Sequence, residues 1–107
     1  MTALVTQPLF YILLSLQDKE RHGYEILKEV QSGSLGAIRL GPATLYTSLK
    51  KLLDAGLVQE VAGPKDGDPR RRYYRLTSGG RKELSEGLNR MERVLAIARP
   101  RALRAGS

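Results

Sequence analysis

Three short hydroxyl side chains, Thr44, Thr47 and Ser48, recur at helical spacing in GPATLYTSLKKLLDAGLV, residues 41–58, with Lys50 and Lys51 beside them. Leu45, Leu49, Leu52 and Leu53 fall on the opposite face. Short hydroxyls let a helix backbone approach the edges of nucleic-acid bases, to which they donate or accept, while lysines reach phosphates on either side. Tyr46 lies between the two faces, where its hydroxyl can point at a phosphate, and the helix N-terminus adds unpaired N–H groups that favour an anion. Downstream, Lys65 and the run Arg70, Arg71, Arg72 supply further cations. Guanidinium is drawn to phosphates and to the negative potential of a narrow minor groove, although charges on an edge strand also serve to keep it from pairing with other chains. Lys65 and Arg70 are expected to be the outermost contacts. Any amphipathic helix has a polar face, so the helix alone does not separate a binding surface from a solvated one.

Composition narrows the chemistry further. The absence of cysteine removes disulfides, thiolate nucleophiles and cysteine zinc sites together, and the lone histidine, His22, leaves little for a metal centre or a histidine-based triad. His22 is expected to cap or pack at a helix start. With no nucleophile–base pair and no phosphate loop, an enzyme ranks lowest among the functional classes, and no cofactor is expected. The net charge of +7 is unevenly spread: residues 1–38 hold 3 basic and 4 acidic side chains, residues 39–82 hold 10 and 4, and residues 83–107 hold 5 and 3. A basic surface confined to the middle third suits a polyanion such as nucleic acid, or an acidic membrane surface. The apolar run Leu9–Leu16 falls well short of the ~20 residues of a membrane span, and no basic segment precedes it, so a cytoplasmic protein without a membrane partner is expected.

The elements that must position these residues follow from periodicity. Residues 6–17 are apolar nearly all round, with Leu9, Ile12, Leu13 and Leu16 on one side and Phe10 and Leu14 on another, so more than one neighbour must cover that helix. DKER is a polar turn, and a second helix over 23–31 is expected to turn Tyr24, Leu27 and Val30 inward. IRL, residues 38–40, is at most a scrap of strand. Pro42 opens the third helix and Gly56 ends it. Strands over 57–61 and 72–76 flank the Gly-, Pro- and Asp-rich AGPKDGDPRR to make a hairpin with a basic exit leg, and Tyr73 and Tyr74 are expected to pack in it rather than stack on bases. Thr77 is a suitable N-cap for a final helix whose apolar residues Leu84, Leu88, Met91, Leu95 and Ala98 step by 4, 3, 4 and 3. Pro100 should stop it, leaving RALRAGS mobile.

This order predicts a mainly α fold with a small β-hairpin: a winged helix-turn-helix over 1–76, a C-terminal dimerisation helix over 77–99 packed on it, and a mobile tail over 100–107. Thr44, Tyr46, Thr47, Ser48, Lys50, Lys51, Lys65, Arg70, Arg71 and Arg72 are the candidate DNA contacts, and double-stranded DNA the candidate partner. Leu9, Phe10 and Leu13 of the first helix and Leu84, Leu88, Met91 and Leu95 of the last are the candidate contacts with a second copy of the chain.

The sequence also resembles the PadR-like bacterial transcriptional regulators. Gly41, Thr44, Leu45, Tyr46, Leu49, Leu52, Gly56, Leu57, Val58, Tyr73, Tyr74, Leu76, Thr77 and Gly80 match the family pattern, and HGYEI at 22–26 is similar to its second-helix start. The resemblance implies a homodimer built by the first and last helices, usually a repressor on a palindromic operator. In some relatives planar or hydrophobic effectors bind between the subunits and release DNA. No effector residue carries over to this chain, which has no tryptophan. Two other readings stay open at this point: a winged-helix protein-interaction module, and a binder of double-stranded RNA or a non-specific compactor of DNA.

Overall fold

The computed structural model describes residues 6–106. Four helices and three short strands follow in the order α1 (Gln7–Ser15), β1 (Arg21–His22), α2 (Gly23–Gly33), α3 (Pro42–Asp54), β2 (Val58–Val61), β3 (Tyr73–Leu76) and α4 (Ser78–Arg104). The architecture is a winged helix-turn-helix, mainly helical, with an antiparallel sheet and a long C-terminal helix.

α1 supplies Leu9, Phe10, Ile12 and Leu13, and the residue after it Leu16, to one continuous core, which α2 closes with Ile26 and Val30 and α3 with Leu45, Leu49 and Leu52. Tyr74 and Leu76 of β3, Leu57, Val58 and Leu84 complete it. Arg21 ties the layers together: its Nε donates to the Ser15 carbonyl at 2.7 Å, satisfying the end of α1, and its guanidinium faces Asp18 at 3.4 Å and Glu29 at 3.6 Å. Thr77 joins the recognition region to α4. Its hydroxyl donates to the Gly56 carbonyl at 2.6 Å and accepts the Gly80 N–H at 3.0 Å, so the end of α3 and the start of α4 share one side chain. Gly80 has to be glycine, because a Cβ there would strike the Leu57 carbonyl oxygen.

The structure departs from the periodicity in several places. The sheet has three strands in the order β1-β3-β2, because Arg21, at the end of the expected polar turn, and His22 after it pair with Tyr74 and Tyr73, while residues 38–40 form no strand. Two residues are too few for an alternation to register. The hairpin partners Val58 with Leu76 and Val61 with Tyr73, which leaves Arg70, Arg71 and Arg72 before β3 in the loop. Tyr24 points outward, 66% exposed, and Ile26 takes the core position. Leu53 lies at the edge of its helix, 36% exposed. α4 does not stop at Pro100 but continues to Arg104: proline removes one N–H and crowds the preceding turn, yet the residues after it resume helical bonding, with Ala105 N–H donating to the Arg101 carbonyl at 3.0 Å.

Candidate nucleic-acid interface

α3 is built on the three leucines Leu45, Leu49 and Leu52, each 1% exposed, at i, i+4 and i+7. That row fixes which side chains point away. Thr44, Thr47 and Lys51 make an exposed row at i, i+3 and i+7, with Tyr46 and Lys50 along its flanks. Thr47 donates its hydroxyl to the Ala43 carbonyl at 3.0 Å, leaving its oxygen lone pairs to accept. Lys50 is exposed but faces Asp54 at 3.4 Å, one turn on, whereas no carboxylate within 4 Å faces Lys51 among the described residues. Ser48 is not part of this row. It is 8% exposed, on the edge of the packed face between Thr44 and Leu52, so it is removed from the candidate contacts. At 100° per residue it lies on the boundary of the two stripes, and packing against the core settles the side.

The three arginines reach the same surface in different states. Asp68 holds Arg70 at the wing tip with a bidentate pair, 3.2 Å from both Nε and Nη2, and accepts the Arg70 N–H at 2.9 Å. The Arg70 guanidinium, then its backbone N–H, hold the Asp68 carboxyl below its usual range, with the Arg71 charge adding to the effect. Arg71 is exposed too, with its Nη1 3.4 Å from His22 Nε2. Arg72 is 72% exposed and only loosely opposite Glu60 at 3.9 Å. Lys65 is exposed in the same loop.

His22 has the packing and capping role expected of it. Its N–H donates to Glu25 Oε1 at 3.1 Å at the start of α2, and its ring stands perpendicular to that of Tyr73, with centroids 5.3 Å apart. Tyr74 is 3% exposed and Tyr73 half-buried, so both pack in the sheet.

His22, Gly23, Tyr24, Tyr46, Arg70, Arg71 and Arg72 line one open pocket of ≈ 450 Å³. It brings the flank of α3, the N-terminus of α2 and the basic leg of the wing together. Gly23 makes the approach possible, since a Cβ there would lie 2.8 Å from the Tyr46 hydroxyl. A phenol, backbone N–H groups at a helix start and guanidinium groups converging on an open cleft can take a phosphate. Tyr24 belongs to this surface and was missed by periodicity. Its ring lies under the Lys28 ammonium at 5.4 Å, on the exposed side of α2 beside α3. No grouping of three or more acidic or histidine side chains able to hold a metal ion occurs among the described residues.

The dimer candidates divide in two. Leu9, Phe10, Leu13 and Leu84 are at most 7% exposed within one chain and belong to its own core, so they are withdrawn as contacts with a partner. Phe10 is covered by α4, packing where Gly87 leaves room for its ring. Leu88 is half-buried against that core. Met91 and Leu95 remain uncovered at 39% and 48%, as do Val94 and Ile97, which the heptad spacing did not single out.

The fold and this surface define the class: a winged helix-turn-helix protein with an open, basic recognition face. The pattern of the Transcriptional regulator PadR-like family matches residues 12–86, and the chain belongs to that family. Over 75 residues it is 33% identical to Uncharacterized protein X of Lysinibacillus sphaericus, covering 70% of this chain and 69% of that one. Its fold is similar to a transcriptional regulator from Clostridium thermocellum, with a TM-score of 0.68 and 25% identity over 85% of each chain. It is also similar to Bacillus subtilis PadR, solved in complex with operator DNA, with a TM-score of 0.64 and 26% identity over 75% of this chain and 45% of that one. This chain thus spans less than half the length of the Bacillus protein. The family is one of regulators, not enzymes. No described helix is long and apolar enough to cross a membrane.

Proposed function

We propose that the chain binds a palindromic operator as a homodimer and acts as a repressor. One observation carries this reading: the exposed row Thr44, Thr47, Lys51 of α3 adjoins, through Tyr46, a cleft lined by Arg70, Arg71 and Arg72 of the wing. A helix with small hydroxyls can enter a major groove while the wing's cations lie over the flanking backbone. That a relative of similar fold was solved on operator DNA supports the same use of the surface here. A dimer would set two copies of α3 about 34 Å apart, one helical turn of DNA. The exposed Met91, Val94 and Leu95 support α4 as the subunit contact, and an effector that is planar or hydrophobic would act from there.

The test is binding to DNA from upstream of the chain's own gene, by the wild type and by a Lys51→Ala, Arg72→Ala variant. Loss of two phosphate contacts per subunit is expected to weaken binding at least tenfold and to lower the salt slope by about 2 or more. A folded, dimeric variant that binds as tightly as wild type would sink the assignment. Release of the DNA by phenolic acids or lipophilic cations would identify the effector class.

A further inference from the structure

The second half of α4 carries a charge pattern that neither the recognition face nor the apolar seam uses. Residues 90–107 contain five arginines and one acidic residue, Glu92, a net +4 of the chain's +7. At 100° per residue, Arg90, Arg93, Arg101 and Arg104 fall on one side of the helix, with Ile97 at the middle of the row. The seam residues Met91, Leu95 and Ala98 fall on the other side. Every residue from Asn89 to Gly106 is exposed. From Arg90 to Arg104 the row covers 15 residues, roughly 21 Å of helix.

Ordinary helix electrostatics explains only part of this. Cations in a last turn complement the helix dipole, which accounts for Arg101 and Arg104 but not for Arg93, whole turns upstream. Glu86 lies four residues before Arg90 on the same side, so Arg90 is the most compensated of the four. Arg93, Arg101 and Arg104 have no acidic residue three or four positions away, and no carboxylate within 4 Å faces them among the described residues. Like charges aligned along an exposed helix repel one another, and a polyanion relieves that repulsion.

We propose that this arginine row is a second DNA-backbone contact, separate from α3 and the wing, that holds duplex outside the segment read by α3. Its partner is a line of phosphates, which present one charge per ~1.7 Å of duplex. An anionic bilayer fits less well. A surface-lying helix needs its apolar side buried in lipid beside the basic one, but here the apolar seam continues from Leu84 and Leu88, which face the chain's own core. Ile97 is the one apolar residue within the row. The phosphates can come from the flanks of the same duplex or from a second duplex. The inference rests on the DNA-binding reading only for the identity of the polyanion.

The experiment compares wild type, an Arg93→Gln, Arg101→Gln, Arg104→Gln variant, and the Lys51→Ala, Arg72→Ala variant, each with helix content and thermal unfolding checked. Glutamine keeps helix propensity while removing charge. The probes are random-sequence duplexes, one of about 20 base pairs, enough for two half-sites, and one much longer. The arginine variant is expected to bind the short duplex as wild type does, but to lose at least tenfold in affinity for the long one, with a salt slope smaller by about 2 or more. Capture of a labelled second duplex by protein on bead-bound DNA assigns the row to a second duplex. Its absence, with long-duplex affinity still reduced, assigns it to the flanks. Equal slopes and no capture overturn the proposal while leaving α3 and the wing intact. Loss confined to the arginine variant, with Lys51 and Arg72 silent, would overturn the α3 reading instead. Binding to vesicles containing anionic phosphatidylglycerol, with no change on either duplex, would overturn the assignment of the arginine row to DNA.

Discussion

α3 and the second half of α4 are both two-faced helices, but the chain buries the apolar face of only one of them. In α3 the chain itself covers the apolar side, leaving Leu45, Leu49 and Leu52 at 1% exposure, so what remains to be matched is a row of hydroxyls and lysine. In α4 beyond Leu88 no described residue is buried, and Met91 and Leu95 of the seam stay 39% and 48% exposed. A helix whose leftover face is polar and small in side chain is shaped for a groove. A helix whose leftover face is apolar and continues the line of the core is shaped for another helix. The two are not independent, because Thr77 bonds the carbonyl that ends α3 and caps α4. A movement of α4 therefore has a short path to α3.

The contrast can be broken most strongly at the anchor. Leu49→Ala removes a side chain that is 1% exposed at the centre of the α3 face, and should cost about 2–5 kcal/mol of folding stability by denaturant titration. DNA affinity would fall with it, since the hydroxyl row has no independent support. The corresponding change on α4 should behave differently. Leu95→Glu is expected to shift the monomer–dimer equilibrium in sedimentation by about 3 kcal/mol or more, from two leucines each worth roughly 1.5–3, while the unfolding of the isolated monomer hardly moves. Leu88 is a poorer probe, because it is half-buried against the chain's own core and its loss would damage both. A monomer throughout, for wild type and variant alike, would remove the contrast altogether.

A smaller effect tests the wing's part in the polar face. Asp68 neutralises Arg70 at the tip, so Asp68→Ala frees a cation and deletes an anion on the side that would face DNA. Affinity for duplex DNA should rise severalfold, with a salt slope steeper by about 1 per subunit. No change would mean that Arg70 points away from the bound duplex, leaving Arg72 and Lys65 as the wing's contacts.

Much of this was legible in the residues. The leucine row, the Gly56 stop, the Thr77 cap and the basic hairpin each follow from local spacing or turn chemistry, and the structure places all four accordingly. The failures share a physical cause: they depend on which neighbour covers a residue. Ser48 lies on the stripe boundary, so periodicity leaves its side undecided until α3 packs. Phe10 and Leu13 looked surplus only because one chain's α4 and α2 had not yet been placed on them. β1 exists because Arg21 and His22 find β3, a pairing across some fifty residues that no local pattern carries.

The smallest expected effect lies in the sheet between the two helices. Tyr74 is 3% exposed, and burial, reinforced by the Glu60 charge, raises its phenol above the ordinary value of 10.0. The unfolded chain ionises that phenol at the ordinary value while the folded chain resists. Folding therefore binds the proton more tightly, and its contribution to stability is whole below pH 10.0 and is lost as pH rises toward the elevated folded value. Tyr74→Phe should leave neutral-pH stability close to wild type and flatten this alkaline decline in unfolding curves taken on either side of the transition. A decline equally steep in both proteins would place its origin in the other tyrosines or the lysines, and would show that the sheet beneath the wing is no tighter around Tyr74 than water.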